Sequence, residues 1–125
     1  MQEIIKKFKF RDAATVLNCP PQLKKEFVAL GFKTEFAKNK SANTLVFLND
    51  KKELADFLTA DLKNIERDSV LWLAFPKGTS KIKTDIGRDV IRETAESFGL
   101  ATVTAVSVNE IWSALRLRPL EMVGK

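Results

Sequence analysis

The sequence predicts an α/β fold in which helices cover both faces of a mostly parallel sheet and an antiparallel hairpin closes the chain. Three observations carry this. Val70-Leu71-Trp72-Leu73-Ala74-Phe75 is an unbroken apolar run, which marks a strand covered on both faces, because a strand wet on one side alternates polar with apolar. Ile86, Val90, Ile91, Ala95 and Phe98 follow at helical spacing. Residues 100–108 and 111–119 are rich in β-branched residues, alternate, and are joined by Asn109-Glu110, a hairpin pattern.

Taken in order, residues 2–9 place Ile4, Ile5 and Phe8 at helical spacing between lysines, so a short amphipathic helix is expected within residues 1–10. It is too short for a membrane anchor. Residues 13–17 read as a short strand, and Asn18-Cys19-Pro20-Pro21 as a sharp turn with a proline suited to a first helical turn. The next helix carries Leu23, Phe27 and Leu30 and stops at Gly31. Residues 32–36 are a weaker strand, 37–43 a polar loop, and 44–48 a second continuous apolar strand. Asn49 or Asp50 can cap a helix over 51–66, with Leu54, Phe57, Leu58, Leu62 and Ile65 as its buried stripe. Pro76 ends the central strand, since proline cannot donate to a ladder. Thr84 or Asp85 can cap the helix that Gly99 closes, and residues 119–125 form a tail. Right-handed crossovers then give one domain, residues 1–125, a three-layer Rossmann-like sandwich.

Composition excludes several chemistries. The chain has no histidine and no tyrosine. The commonest general base, the commonest metal ligand and any Ser-His-Asp or Cys-His nucleophile are therefore absent. A single cysteine, Cys19, rules out an internal disulfide and fits a reducing cytoplasm, and residues 1–10 carry no long apolar stretch of a secretory leader. No apolar run approaches the roughly 20 residues that span a bilayer. The net charge of +5 comes from 21 basic and 16 acidic residues that are interspersed rather than segregated, the pattern of a solvated mixed surface.

Ligands of open α/β sheets bind outside the carboxyl ends of the strands, which points to the loop after Pro76. Lys77, Gly78, Thr79, Ser80, Lys81 and Lys83 bring cations, small hydroxyls and one flexible backbone position, suited to a phosphate or carboxylate. The Walker spacing is absent, so nucleotide hydrolysis is not implied. Asp85, Arg88 and Asp89 could orient a ligand or simply balance a helix start. Trp112, Arg116 and Arg118 share one face of the last strand, as an aromatic-cationic clamp or a structural ladder. Cys19 stands at a helix start, where a thiol can be acidified, though lone cysteines commonly serve as core filler.

The stretch LWLAFPKGTSKIKTDIGRDVIRE followed by VSVNEIWSALRLRPLE resembles the signature of a family of small bacterial proteins catalogued as a domain of unknown function. The matching positions are Pro76, Lys77, Ser80, Lys81, Thr84, Asp85, Arg88, Asp89, Trp112, Ser113, Ala114, Leu115, Arg116, Arg118 and Pro119. The resemblance implies a trimmed class I methyltransferase fold ending in a β-hairpin, with no established activity. Such methyltransferases carry a glycine-rich turn after their first strand for S-adenosylmethionine. Here that turn is Asn18-Cys19-Pro20-Pro21, without a glycine, so the close backbone approach that glycine permits is lost and no cofactor is expected. Three functions follow: a non-catalytic binding module for a small anionic ligand or a protein partner, a divergent transferase with Asp85 or Asp89 as base, and a nucleic-acid binder using Lys77, Lys81, Lys83, Arg116 and Arg118. The scattered charge disfavours the last, which needs one contiguous basic face.

Overall fold

The computed structural model describes residues 2–11, 14–35, 40–77 and 84–122. Its elements are α1 (Gln2–Phe8), β1 (Thr15–Leu17), α2 (Pro21–Ala29), β2 (Ser41–Phe47), α3 (Lys51–Ala60), β3 (Ile65–Pro76), α4 (Arg88–Glu96), β4 (Leu100–Ser107) and β5 (Trp112–Pro119). The five strands form one sheet in the order β1-β2-β3-β5-β4. The apolar run of β3 is the middle strand, and every residue from Val70 to Phe75 is at most 5 % exposed.

Burial on both faces follows from the alternation of β3 side chains. Leu71, Leu73 and Phe75 pack with Leu54, Phe57 and Leu58 of α3 and Ile91 and Ala95 of α4. Val70, Trp72 and Ala74 pack on the opposite face with Phe8 of α1 and Phe27 of α2. Trp72, 1 % exposed, donates its indole N–H to the Phe8 carbonyl at 2.9 Å, and its ring meets Phe8 edge-on at 5.2 Å. From there ring contacts run without a break through Phe10, Phe32, Phe27 and Phe47 to Trp112. The N-terminal helix is thus tied to the far end of the sheet through aromatic packing, the geometry in which such rings gain most.

The sheet is mixed rather than mostly parallel. β1–β2 and β2–β3 pair in parallel, but β5 enters between β3 and β4 and runs antiparallel to both. The hairpin extends the sheet as expected, with its first strand outermost.

Three boundaries also differ from expectation. The helix expected over 51–66 ends at Ala60, and a short 3₁₀ turn at Leu62–Asn64 leads into β3, which starts at Ile65. Leu62 and Ile65 continue the apolar pattern because they still pack on the α3 side, so burial there does not depend on helix. The strand expected over 32–36 is reduced to a single bridge between Thr15 and Lys33, and Phe36 lies outside the described residues. The helix expected to start at Thr84 or Asp85 starts at Arg88 with Gly87 at its N-cap. Phe98 falls beyond its end and is 41 % exposed, while Gly99 takes a positive φ of 78° that closes the turn.

Candidate functional site at the carboxyl edge

β1, β2, β3 and β4 all point their carboxyl ends to one edge, where α/β sheets hold ligands. A cleft of about 370 Å³ opens there, between the turn Asn18–Leu23 and the hairpin residues Asn109, Ile111 and Trp112. Its lining is amides, prolines and apolar side chains. Trp112 is both wall and core: it is 5 % exposed and meets the Phe47 ring edge-on at 5.1 Å. The hairpin tip is fixed by Asn109, whose Oδ1 accepts the backbone N–H groups of both Ile111 and Trp112 at 2.8 Å.

Three helices, α2, α3 and α4, start at this edge; α4 begins after Gly87 with no side-chain cap, and the chain closes the other two. At α2, Pro20 and Pro21 have no N–H to offer, and the Pro20 carbonyl accepts the N–H groups of Leu23 and Lys24. A helix start with two prolines lacks the row of donors that cradles a phosphate. At α3, Asp50 accepts the Glu53 N–H at 2.9 Å and Asp85 accepts the Lys51 N–H at 2.8 Å. The Glu53 carboxylate in turn receives the Asn49 N–H and side-chain amide and the Asn18 amide. Carboxylates at a helix start are favoured by its dipole, and here they occupy the place a bound anion would take.

Asn18 joins the starts of α2 and α3. It adopts a left-handed conformation, φ 54°, which asparagine tolerates better than most residues. Its amide spans the Phe47 carbonyl at 2.8 Å and Glu53 at 2.9 Å. Neither Asn18 nor Glu53 stood out in the sequence. The available signal was an asparagine directly after a strand and before two prolines, a position that favours a positive φ and a side-chain clamp.

The residues proposed from the sequence divide among three places. Lys77 sits at the carboxyl edge. Its N–H bonds the Ile111 carbonyl at 2.7 Å, and its ammonium reaches the Ser107 hydroxyl at 2.6 Å. Asp85 is at the same edge, serving as a cap of α3 rather than of α4, with Thr84 beside it donating to the Asn49 carbonyl. Arg88 is exposed on α4, next to Asp89 and Arg92 and alongside β4. Arg116 lies on the opposite face, across from Trp72 in the sheet, with its Nε buried and unbonded. Trp112 and Arg116, four residues apart along β5, stand roughly 13 Å from one another and do not form one clamp. Lys77, Arg88 and Arg116 therefore occupy an edge and two different faces. Gly78, Thr79, Ser80, Lys81 and Lys83 lie outside the described residues.

Cys19, at the cleft wall, is held protonated rather than acidified. Burial raises its thiol to about 11, against a smaller opposing pull from Lys24. At pH 8 such a thiol is about one part in a thousand thiolate, compared with about a tenth at the ordinary value of 9.0. Iodoacetamide labelling of the native chain is thus expected to run roughly a hundredfold slower than labelling of the urea-unfolded chain, and to rise about tenfold per pH unit toward pH 10. The unfolded thiol ionises first, so the contribution of the protonated form to stability is complete below about pH 9 and is lost as pH rises toward 11. Native labelling as fast as unfolded labelling at pH 8 would contradict the burial. Among the described residues no group of Cys, Asp and Glu is arranged to hold a metal ion, and no helix is long and apolar enough to cross a membrane.

Comparison with known proteins now decides the family. The model of a family described as protein of unknown function DUF3052 matches residues 33–120. The chain belongs to this family. No curated protein matches it. Among solved structures, it is similar over 95 % of its length to a protein of the NADB-Rossmann superfamily from Streptococcus agalactiae, covering 68 % of that chain at 11 % identity with a TM-score of 0.51. A SAM-dependent methyltransferase from Aquifex aeolicus aligns over 93 % of this chain and 87 % of its own, at 12 % identity and a TM-score of 0.50. LepI, solved in complex with SAM, aligns over 94 % of this chain but only 39 % of its own, at 10 % identity and a TM-score of 0.50. At these identities the likeness is one of fold. This DUF3052 chain has a Rossmann-like, methyltransferase-like α/β architecture.

Proposed function

We propose that this DUF3052 protein is a non-catalytic binding module that holds a small anionic ligand at the carboxyl-edge cleft. One observation carries the reading: the starts of α2 and α3 are filled by the chain's own prolines and carboxylates, yet a cleft of about 370 Å³ with an indole wall remains between the first turn and the hairpin. The candidate bases and nucleophile are engaged otherwise, Asp89 with Arg92 at 3.5 Å. Asp85 accepts a backbone N–H, and the Cys19 thiol is held neutral. The amides of Gln22, Asn49 and Asn109 supply hydrogen bonds and Trp112 supplies an apolar surface. Lys77, joined to the cleft residue Ile111 through its own N–H, is the cation recruited to the rim from its place on Ser107. A sugar phosphate has that combination of features.

The test is a thermal-shift panel of inorganic phosphate, sugar phosphates, nucleotides and S-adenosylmethionine. A ligand at a hundred times its Kd stabilises by about 2.7 kcal/mol, roughly 10 °C for a domain of this size. A phosphorylated ligand is expected to give this shift, and Lys77→Gln to remove most of it. Stabilisation by micromolar S-adenosylmethionine alone would overturn the reading in favour of a transferase. A flat response to every phosphorylated compound would remove the anion.

A further inference from the structure

We propose that β4 is a pairing edge through which two copies of this chain join, antiparallel, into one continuous sheet. The two edges of the sheet are treated differently. At β1 the strand is only three residues long, and Lys33 covers it: the Val16 N–H bonds the Lys33 carbonyl at 2.7 Å, and the Lys33 N–H bonds the Ala14 carbonyl at 3.0 Å. At the other edge β4 runs for eight residues, Leu100–Ser107, and among the described residues no strand lies beyond it. Its outward N–H and C=O groups form a template for another strand.

Proteins blunt such edges with lysine, proline, inward charges or bulges. The sequence LATVTAVS has no lysine, proline or charge, in a chain whose residues are 30 % charged. Its one irregularity, a register shift between Thr102 and Thr104, leaves Val103 37 % exposed instead of setting a charge there.

The occupant that fits is a second copy. An antiparallel self-pairing centred between Val103 and Thr104 sets Leu100 against Ser107, Ala101 against Val106 and Thr102 against Ala105, with no like charges opposed. The flank fits as well. Arg88, Asp89 and Arg92 of α4 line the shallow groove beside Thr102–Ala105, and Asp89 and Arg92 already pair at 3.5 Å. A two-fold axis normal to the sheet brings the two α4 helices side by side and antiparallel, so this mixed-sign trio faces its own copy and can exchange Asp89–Arg92 pairs. Such an interface is isologous and closes on itself, and the covered β1 edge denies the dimer a route to further growth.

The experiment measures solution mass by light scattering on the full chain between 1 and 200 µM, with wild type and Val103→Lys side by side. Wild type is expected to reach twice 14.1 kDa. Val103→Lys, which sets two introduced ammonium groups near the axis, is expected to weaken association at least tenfold while its circular dichroism stays native. Hydrogen exchange of the wild type at low and high concentration needs no substitution: amides of 101–107 gain protection with concentration, and those of β1 do not. A monomer at 200 µM, a dimer indifferent to Val103→Lys with unchanged β4 exchange, or open-ended growth of mass would each overturn the proposal.

Discussion

Trp72→Ala is expected to leave a chain that barely folds, its melting temperature lowered by 15 °C or more, while Trp72→Phe loses only a fraction of that. Trp72 is 1 % exposed on the middle strand, packed among Phe8, Val70, Ala74 and other buried side chains. Truncating a buried tryptophan costs about 3–5 kcal/mol, and the Phe8 carbonyl it satisfies at 2.9 Å then lacks a partner. Against a total stability of about 5–15 kcal/mol that is a large share, and at roughly 4 °C per kcal/mol it gives the stated shift. Phenylalanine keeps a ring for the edge-on contact with Phe8 and gives up the N–H, so about 1–2 kcal/mol should go. Thermal melts of the two variants, read by circular dichroism at 222 nm, check both values. Equal losses would mean that the hydrogen bond, not the packing, holds α1 in place.

Asn18→Val is expected to cost about 3 kcal/mol, and Asn18→Gly about 1 kcal/mol. The two substitutions remove the same amide, which bonds Phe47 and Glu53. They differ in backbone: a β-branched residue at φ 54° is strained by about 1–3 kcal/mol, whereas glycine accepts that conformation freely. The difference between them isolates the turn geometry, and their common loss isolates the clamp. Urea unfolding of both variants supplies the numbers. If Asn18→Val were as stable as Asn18→Gly, the turn would not need its left-handed residue, and the closed start of α2 would lose its physical basis.

The central strand could be read from the chain because six consecutive apolar residues have few other resting places. The hairpin was legible for a similar reason, since alternation over two eight-residue stretches fixes both period and partner. The direction of the sheet was less visible. A βαβ pattern announces parallel pairing, but nothing local to residues 112–119 says that β5 inserts between β3 and β4 and turns the sheet mixed. Helix ends were misread where apolar spacing outlasts the helix, as at Leu62 and Ile65, because packing needs the side chains on one face and not the α conformation.

The sequence pointed to an edge of the sheet and not to the contacts that fill it. The basic loop after the buried strand leads from the carboxyl edge, and of the described residues proposed from the sequence to hold a ligand only Trp112 lines the cleft there. What fills that edge comes from residues far apart in sequence, Asn18 with Glu53 and Lys51 with Asp85, and pairings of that span leave no periodic trace. Asp85 read as a cap and is one, for a helix that precedes it in the chain. The aromatic path from Trp72 to Trp112 is equally nonlocal: its rings come from seven positions spread from Phe8 to Trp112.

The two tryptophans allow a direct measurement of where a ligand sits. In a ¹H–¹⁵N spectrum, the indole N–H of Trp112 reports on the cleft wall, and that of Trp72, buried against Phe8, serves as an internal reference. Titration with a sugar phosphate should move the Trp112 indole and the amides of residues 109–111 and 77 while Trp72 stays fixed, and S-adenosylmethionine should move neither. Micromolar S-adenosylmethionine shifting the amides of Gln22 and Leu23, with the phosphorylated ligand leaving this edge untouched, would contradict the account.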